Sequence, residues 1–188
     1  MTSTRDQIIE TTCNLMEGQG FHATGLNQIV KASGAPKGSL YYYFPAGKDE
    51  IAEAAIQWAG RTVAERIRQG MASSGDVADA IQQFVTTIVH YVEVSGFQSG
   101  GPLLTVAMET ATTNERLNLA CREAYTLLQS AFEEKLVAGG YSESRAKDLA
   151  TWITASIEGG VILSRTYHTG DPLRLIAKQL AQMLRTTS

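Results

Sequence analysis

The fold of this chain is decided by residues 24–50, which read TGLNQIVKASGAPKGSLYYYFPAGKDE. Thr24 precedes an apolar run at helical spacing and is predicted to cap the N-terminus of a first short helix. Gly34 and Pro36 interrupt the pattern, because glycine readily adopts a positive φ and proline suits the first turn of a new helix. A second short helix is predicted over residues 37–44. The stretch therefore predicts two short helices joined by a tight turn.

The second of these helices is predicted to have one buried face and one open face. Leu40 and Phe44 are four residues apart and share a face, so they are expected to pack inward. Consecutive residues on a helix are turned by about 100°, so the three tyrosines after Leu40 cannot all face one core. At least one phenol must therefore point outward. The more open positions are predicted to be Lys37, Ser39, Tyr42 and Tyr43.

These open groups suit contacts with DNA. Lysine and tyrosine can bind phosphate oxygens, serine can reach a base edge or a phosphate, and glycine lets the backbone come close. Free backbone N–H groups at helix starts also suit phosphate. In a helix-turn-helix the second helix enters the major groove, and we predict that motif here. The predicted DNA-binding residues are Thr24, Lys37, Gly38, Ser39, Tyr41, Tyr42 and Lys48.

Two other interpretations of this stretch stay open. One is an ordinary helical hairpin whose tyrosines belong to the core. The other is a helical ligand-binding protein without DNA binding, which the charge allows. The chain has a net charge of −3, and residues 1–50 hold four lysine or arginine residues against five acids, a net of −1. With no general basic surface, affinity for DNA must depend on where Lys31, Lys37 and Lys48 lie.

The whole-chain composition indicates a globular, all-α protein. Of its 188 residues, 44% are hydrophobic and 19% are charged, which is too apolar for a disordered chain. No apolar run reaches the length of a membrane span, and the N-terminus lacks a signal-peptide layout, so we expect a cytoplasmic protein. The two cysteines, Cys13 and Cys121, are predicted to be reduced core residues.

Helical periodicity extends along the rest of the chain, and we predict nine helices and no strand. Glycine, proline and capping residues mark the ends of the segments. A polar loop is expected over residues 72–75, and a last helix is expected after Pro172. The other predicted helices span residues 4–18, 48–70, 76–94, 103–113, 114–138 and 142–168.

Motifs for catalysis are weak, and we predict that the protein is not an enzyme and holds no metal or cofactor. The glycine-rich residues 95–102 lack the preceding strand and the following lysine of a phosphate-binding loop. His90 and Glu93 have a spacing that can serve a metal ion, but a second such pair is missing. The sequence has no nucleophile elbow, zinc motif or dinucleotide fingerprint.

Residues 5–51 resemble the DNA-binding domain of the TetR family of bacterial transcriptional regulators. Residues 26–51, LNQIVKASGAPKGSLYYYFPAGKDEI, resemble the LmrA/YxaF-like subgroup more closely still, including Asn27 and Gly47. The resemblance is carried by Ile8, Phe21, Thr24, Ile29, Ser33, Gly34, the run from Lys37 to Phe44, and Lys48.

The resemblance implies a nine-helix TetR-like architecture in two domains. Residues 1–50 would form the helix-turn-helix DNA-binding domain, and residues 51–188 would form a ligand-binding and dimerisation domain. The two C-terminal helices of each subunit would form a homodimer, and Gly159 and Gly160 fit close helix contact of that kind. A twofold dimer presents two DNA-reading helices about 34–36 Å apart, which matches a near-palindromic double-stranded operator.

The resemblance also implies a ligand cavity among the middle helices and a repressor that its effector releases from DNA. The candidate lining residues are Trp58, Phe84, Ile88, Tyr91, Phe97, Met108, Leu128 and Trp152, with Glu109 or Glu158 as polar contacts. Each of these is also an ordinary type of core residue. Their composition favours a small apolar or aromatic effector.

Overall fold

The computed structural model describes residues 3–72 and 74–186 of the chain. Within these residues it contains nine α-helices and no strand, as predicted. Ser73, in the predicted polar loop, lies outside the described residues. The helices are α1 (Thr4–Ala23), α2 (Leu26–Ser33), α3 (Lys37–Tyr43), α4 (Lys48–Ala72), α5 (Val77–Val94), α6 (Leu104–Thr110), α7 (Glu115–Ala138), α8 (Glu143–Tyr167) and α9 (Asp171–Thr186).

Packing divides the chain into two compact units. The first unit comprises the chain up to Arg61 together with Gly101–Tyr125, and the second comprises Thr62–Gly100 and the chain from Thr126 onward. Helices α4 and α7 contribute residues to both units. This division differs from the predicted boundary at residue 50, because α6 and the start of α7 cluster with the N-terminal helices. The predicted boundary separates a DNA-binding domain from a ligand-binding and dimerisation domain, and it stays a prediction.

Several helix ends follow the predicted capping chemistry. Gly34 ends α2 in the left-handed conformation, with φ 67°. The Asp76 side chain accepts a hydrogen bond from the Asp79 N–H at 2.9 Å and caps α5. Ser142 caps α8 in the same way by accepting from the Arg145 N–H. Local sequence therefore determines these boundaries.

The end of α1 differs from the prediction. Helical structure continues to Ala23, but Gly20 interrupts it with φ 83° and ψ 171°, a conformation that is essentially restricted to glycine. The prediction that Thr24 caps α2 is wrong, since Gly25 occupies the N-cap position. The Thr24 hydroxyl instead donates to the Gly20 carbonyl oxygen at 2.7 Å, because the kink leaves that carbonyl in need of a partner.

The second unit contains a close contact between α8 and α9. A Cβ atom on Gly160 would lie 2.6 Å from Ile176 Cδ1 and 2.8 Å from Leu173 Cδ2, so glycine is required for this approach. The Arg174 Nη2 atom also pairs with Glu93 Oε1 at 2.7 Å. Glu93, which has a possible metal-binding spacing with His90, therefore forms an ion pair with an arginine.

A second close helix contact, in the first unit, leads to a stability prediction. A Cβ atom on Gly60 of α4 would lie 2.7 Å from the Cβ atom and 2.9 Å from the Cα atom of Ala124 on α7. Alanine favours a helix over glycine by about 1 kcal/mol, but overpacking costs about 1–3 kcal/mol. We therefore expect Gly60→Ala to lower the free energy of unfolding in urea by about 1 kcal/mol, at matched protein concentration.

The control is Gly18→Ala in α1, where an added Cβ meets no atom within 4 Å. We expect that variant to be at least as stable as the parent protein. Ala124→Gly should also cost less stability in the Gly60→Ala background than in the parent. If Gly60→Ala and Gly18→Ala stabilised the protein equally, the close contact would play no part in stability.

Candidate functional site

The predicted helix-turn-helix is present as α2, the turn at Gly34 and α3. Leu40 and Phe44 are 0% and 1% exposed, which confirms their predicted inward packing. Because these two apolar side chains fix one face of α3, the opposite face is held outward. The Arg5 guanidinium carbon lies 5.4 Å from the centroid of the Phe44 ring and covers it from the N-terminal turn of α1.

The outward face of α3 carries a lysine and exposed phenols. Tyr42 is 80% exposed and Tyr41 is 48% exposed, so the alternative in which the tyrosines belong to the core is wrong. Lys37 and Gly38 are also exposed, and Ser39 is half-buried. We call the exposed residues Lys37, Gly38, Tyr41 and Tyr42 the recognition surface. It presents a cation, an approachable backbone and two phenolic hydroxyls to solvent.

The other two predicted DNA-binding residues, Thr24 and Lys48, are less exposed than the recognition surface and are not part of it. Thr24 is 1% exposed, and its hydroxyl proton is used within the chain, so we remove it from the proposed contacts. Lys48 is half-buried, with its Nζ atom 3.3 Å from the His22 carbonyl oxygen and 4.3 Å from the centroid of the Phe21 ring. An ammonium group has three N–H donors, so Lys48 can still bind a phosphate while it contacts His22.

Several acids of residues 1–50 are buried or accept hydrogen bonds from protein groups. Asp49 accepts a hydrogen bond from Asn114 Nδ2 at 2.8 Å, and Glu50 accepts one from the Ala46 N–H at 2.8 Å. Glu17 is buried. These contacts hold the carboxylates in place without neutralising their charge, so affinity for DNA still depends on where the lysines lie.

Two glutamines that the sequence analysis missed connect α1 to α2. Gln19 Nε2 donates to Gln28 Oε1 at 2.7 Å, and Gln28 Nε2 donates to Gln19 Oε1 at 3.0 Å. Gln19 Nε2 also lies 2.9 Å from the Ala23 carbonyl oxygen. Helical periodicity gives no signal for such a pair, because it joins two different helices across a turn.

The predicted effector-binding residues are divided between the two units. Trp58 and Met108 belong to the first unit, where Trp58 is half-buried and Met108 is 75% exposed. Glu109, predicted as a polar effector contact, also lies in the first unit. Its Oε2 atom instead accepts a hydrogen bond from the His22 N–H at 3.0 Å.

The other six candidates belong to the second unit and differ widely in burial. Phe84 is buried and its ring centroid lies 5.8 Å from that of Phe132, as in a packed core. Leu128 is buried, Ile88 and Phe97 are half-buried, and Tyr91 and Trp152 are each 46% exposed. Glu158 is half-buried.

The second unit also contains a small cavity of about 100 Å³. None of the predicted effector contacts lines it, and ligand pockets usually measure about 300–1,000 Å³. The cavity is lined by Gly75, Asp76, Val77, Ala78, Gly139, Tyr141, Leu184 and Arg185.

Apolar side chains are exposed on the last two long helices. On α8, Ile162 and Leu163 are each 44% exposed, and Tyr167 is 66% exposed. A Cβ atom added at Gly159 would meet nothing within 4 Å, so the backbone is open there. Several exposed apolar side chains on one helix are a candidate interaction surface. We call Trp152, Gly159, Ile162, Leu163 and Tyr167 of α8, with Leu175 of α9, the α8–α9 apolar face.

Both thiols are buried and free of disulfides, in agreement with their prediction as core residues. Burial raises the pKa of the Cys121 thiol to about 11, although a hydrogen bond with Thr110 opposes the shift. The described residues contain no cluster of three or more potential metal-ligating side chains. Among the described helices, none is both long enough and apolar enough to cross a membrane.

Comparison with known proteins identifies the family. Residues 8–55 match the family model described as bacterial regulatory proteins, tetR family. Residues 77–179 match the model described as transcriptional regulator LmrA/YxaF-like, C-terminal domain. These two matches cover the helix-turn-helix, the helices from α5 to α8 and the first part of α9.

Two full-length relatives agree with this result. The HTH-type transcriptional regulator YxaF of Bacillus subtilis (strain 168) is 41% identical over 181 residues, which are 96% of this chain and 95% of the relative. The HTH-type transcriptional regulator LmrA of the same strain is 40% identical over 181 residues, or 96% of each chain.

A solved structure confirms the fold. The TetR transcriptional regulator from Legionella pneumophila superposes with a TM-score of 0.84 at 20% identity, covering 97% of this chain and 98% of that one. Members of this family bind operator DNA and form dimers. The chain therefore belongs to the TetR family of bacterial regulatory proteins, in its LmrA/YxaF-like group, and is a DNA-binding transcriptional regulator rather than an enzyme.

Proposed function

We propose that the protein is a homodimeric repressor that binds a near-palindromic operator and leaves it when a small apolar or aromatic effector binds. The DNA-binding part of this proposal rests on the recognition surface, whose residues are exposed on α3 while Leu40 and Phe44 are buried. The proposed place of action is the cytoplasm, where bacterial operator DNA lies.

The recognition surface would enter the major groove through α3. Gly38 has open space around it, so the backbone can approach the DNA closely. Lys37 would bind a phosphate or a guanine edge, and the hydroxyls of Tyr41 and Tyr42 would bind phosphate oxygens. Ser39 and the free N–H groups of Lys48 complete the proposed contacts.

The α8–α9 apolar face would be the dimer contact. Its side chains are exposed in the single subunit, and burying them against a second copy would remove apolar surface from water. An isologous contact through one face gives a twofold axis. That symmetry would place two recognition surfaces at adjacent major grooves of a palindromic site.

The effector response would pass through α4. Lys48, a proposed phosphate contact, and Trp58, a proposed effector contact, lie ten residues apart on this helix, or roughly 15 Å at 1.5 Å per residue. An effector that moves Trp58 would therefore also move the start of α4. A small displacement there would disturb the match between two recognition surfaces and two grooves, which couples the sites.

The proposed release from DNA can be tested by a gel shift with DNA from upstream of the protein's own gene. We expect the protein to form a complex with this DNA and planar aromatic compounds to dissociate it. The compounds should lower operator affinity about 5–150-fold, which is the usual range of allosteric coupling. Calorimetry on the free protein identifies the compounds that bind. If only sugars or metal ions bound, or if bound aromatic compounds left the DNA complex intact, the proposed effector response would be wrong.

A further inference from the structure

We infer that Glu109 is a positioning residue for DNA binding, which acts by holding the kinked end of α1 from which the helix-turn-helix begins. This inference rests on the proposed role of the recognition surface. Glu109 lies on α6, and its carboxylate accepts a hydrogen bond from the His22 N–H, 87 residues earlier in the chain. From α4, Lys48 Nζ donates to the carbonyl oxygen of the same residue at 3.3 Å. Side chains of two other helices thus bind both backbone polar groups of His22.

The kink at Gly20 explains why this turn binds a carboxylate. Because Gly20 leaves helical geometry, the N–H groups that follow it begin a new turn and need acceptors from outside the helix. A carboxylate is a favourable acceptor at such a start, since the hydrogen bond is charge-assisted. A Cβ atom on residue 20 would lie 2.1 Å from Glu109 Oε1, so the missing side chain provides the space that the carboxylate occupies.

The same turn fixes the start of the helix-turn-helix. The Thr24 N–H donates to the Phe21 carbonyl oxygen at 3.1 Å, and the buried Thr24 hydroxyl donates to the Gly20 carbonyl oxygen. The next residue, Gly25, is the N-cap of α2, and the pair of Gln19 and Gln28 joins α1 to α2 beside it. Displacing the turn would therefore displace α2 and, through it, α3.

The sign of the change in DNA affinity distinguishes a positioning role of Glu109 from a general electrostatic effect. Removing any acid makes the protein less negative, so electrostatics alone predicts tighter binding to DNA. If the Glu109 carboxylate positions the helix-turn-helix, its removal should weaken binding to DNA. The two explanations give opposite signs for the same substitution.

The test compares Glu109→Gln with Glu123→Gln in the full-length dimer. Glu123 is an exposed acid of α7 in the same unit, so both substitutions change the charge equally. We expect Glu109→Gln to raise the operator Kd about tenfold, because a neutral amide oxygen replaces the charged acceptor of the His22 N–H. Glu123→Gln should leave the Kd unchanged or lower it. Circular dichroism and sedimentation should be unchanged for both variants.

Hydrogen exchange of the free protein supplies a second readout that does not involve DNA. The amide of His22 should exchange faster in Glu109→Gln than in Glu123→Gln. If Glu109→Gln does not fold, Glu109→Asp keeps the charge but shortens the reach, and the same two changes are expected. Equal operator affinity in the Glu109 and Glu123 variants, or unchanged exchange at His22, would overturn the inference. Failure of the parent protein to bind DNA would instead count against the proposed function, while the exchange result still decides whether Glu109 holds the turn.

Discussion

Combining Lys37→Ala with Tyr42→Phe is expected to lower operator affinity about 100-fold or more. Each substitution removes a contact worth about 1–3 kcal/mol, and a dimer carries two copies of each. Tyr42 lies opposite the buried face of α3 and Lys37 is exposed at the start of the helix, so the fold should be unaffected. Fluorescence anisotropy with labelled operator DNA measures the loss.

The single substitutions separate the two roles. Lys37→Ala should reduce the salt dependence of binding by about one ion per subunit if Lys37 contacts a phosphate, whereas Tyr42→Phe should leave it unchanged. Lys147→Ala is the control, because Lys147 is an exposed lysine in the second unit. Dimer formation and effector affinity should be unchanged in all of these variants. Parental operator affinity in the double variant would mean that α3 does not read DNA.

Ile162→Glu is expected to convert the dimer into monomers and to abolish tight operator binding. Ile162 is 44% exposed on the α8–α9 apolar face, so glutamate is tolerated in the single subunit. In the dimer, the twofold axis would bury two unpaired carboxylates in an apolar contact, at a cost of several kcal/mol. Sedimentation velocity measures the mass, and anisotropy measures the loss of operator binding.

The matched control is Val94→Glu at the end of α5. Val94 is 73% exposed and lies outside α8 and α9, so the same change of charge should leave the dimer intact. A dimer that persisted in Ile162→Glu but dissociated in Val94→Glu would place the contact elsewhere on the subunit.

The features of this fold that could be predicted are those that depend on neighbouring residues. Gly34 ends α2 because glycine adopts a positive φ at low cost, and Asp76 begins α5 because its carboxylate reaches the N–H three residues later. Leu40 and Phe44 face the core because four residues make about one helical turn. The exposure of Tyr42 follows, since fixing the inner face of α3 fixes the outer face, whereas Lys37 is exposed at the start of the helix.

The features that escaped prediction depend on contacts between distant residues. Thr24 has the sequence context of a helix cap, but the kink at Gly20 draws its hydroxyl inward. The sequence predicts Glu109 as an effector contact, but its carboxylate accepts from the N–H of a residue 87 positions away. Glycine inside a helix is weakening by itself, yet a Cβ atom on Gly60 of α4 would meet Ala124 of α7. Periodicity within one helix carries no information about any of these pairings.

The effector-binding residues illustrate a further limit of sequence analysis. Aromatic and aliphatic side chains at helical spacing are typical of a core and of an apolar pocket alike. The Phe84 ring packs edge to face against Phe132 as a core residue does, whereas Trp152 is half exposed on the α8–α9 apolar face. Composition can therefore suggest the chemistry of an effector without identifying the residues that contact it.

The central claim is that two recognition surfaces of one dimer read two half-sites of an operator. Its most direct test is a footprint, with measured stoichiometry, of the protein on DNA from upstream of its own gene, in the presence of excess competitor DNA. The account predicts one dimer on a near-palindromic site, with two protected half-sites about one helical turn apart, about 34–36 Å. It also predicts that the protection disappears in Lys37→Ala combined with Tyr42→Phe. Protection by a monomer, or protection that persists in the double variant, would contradict it.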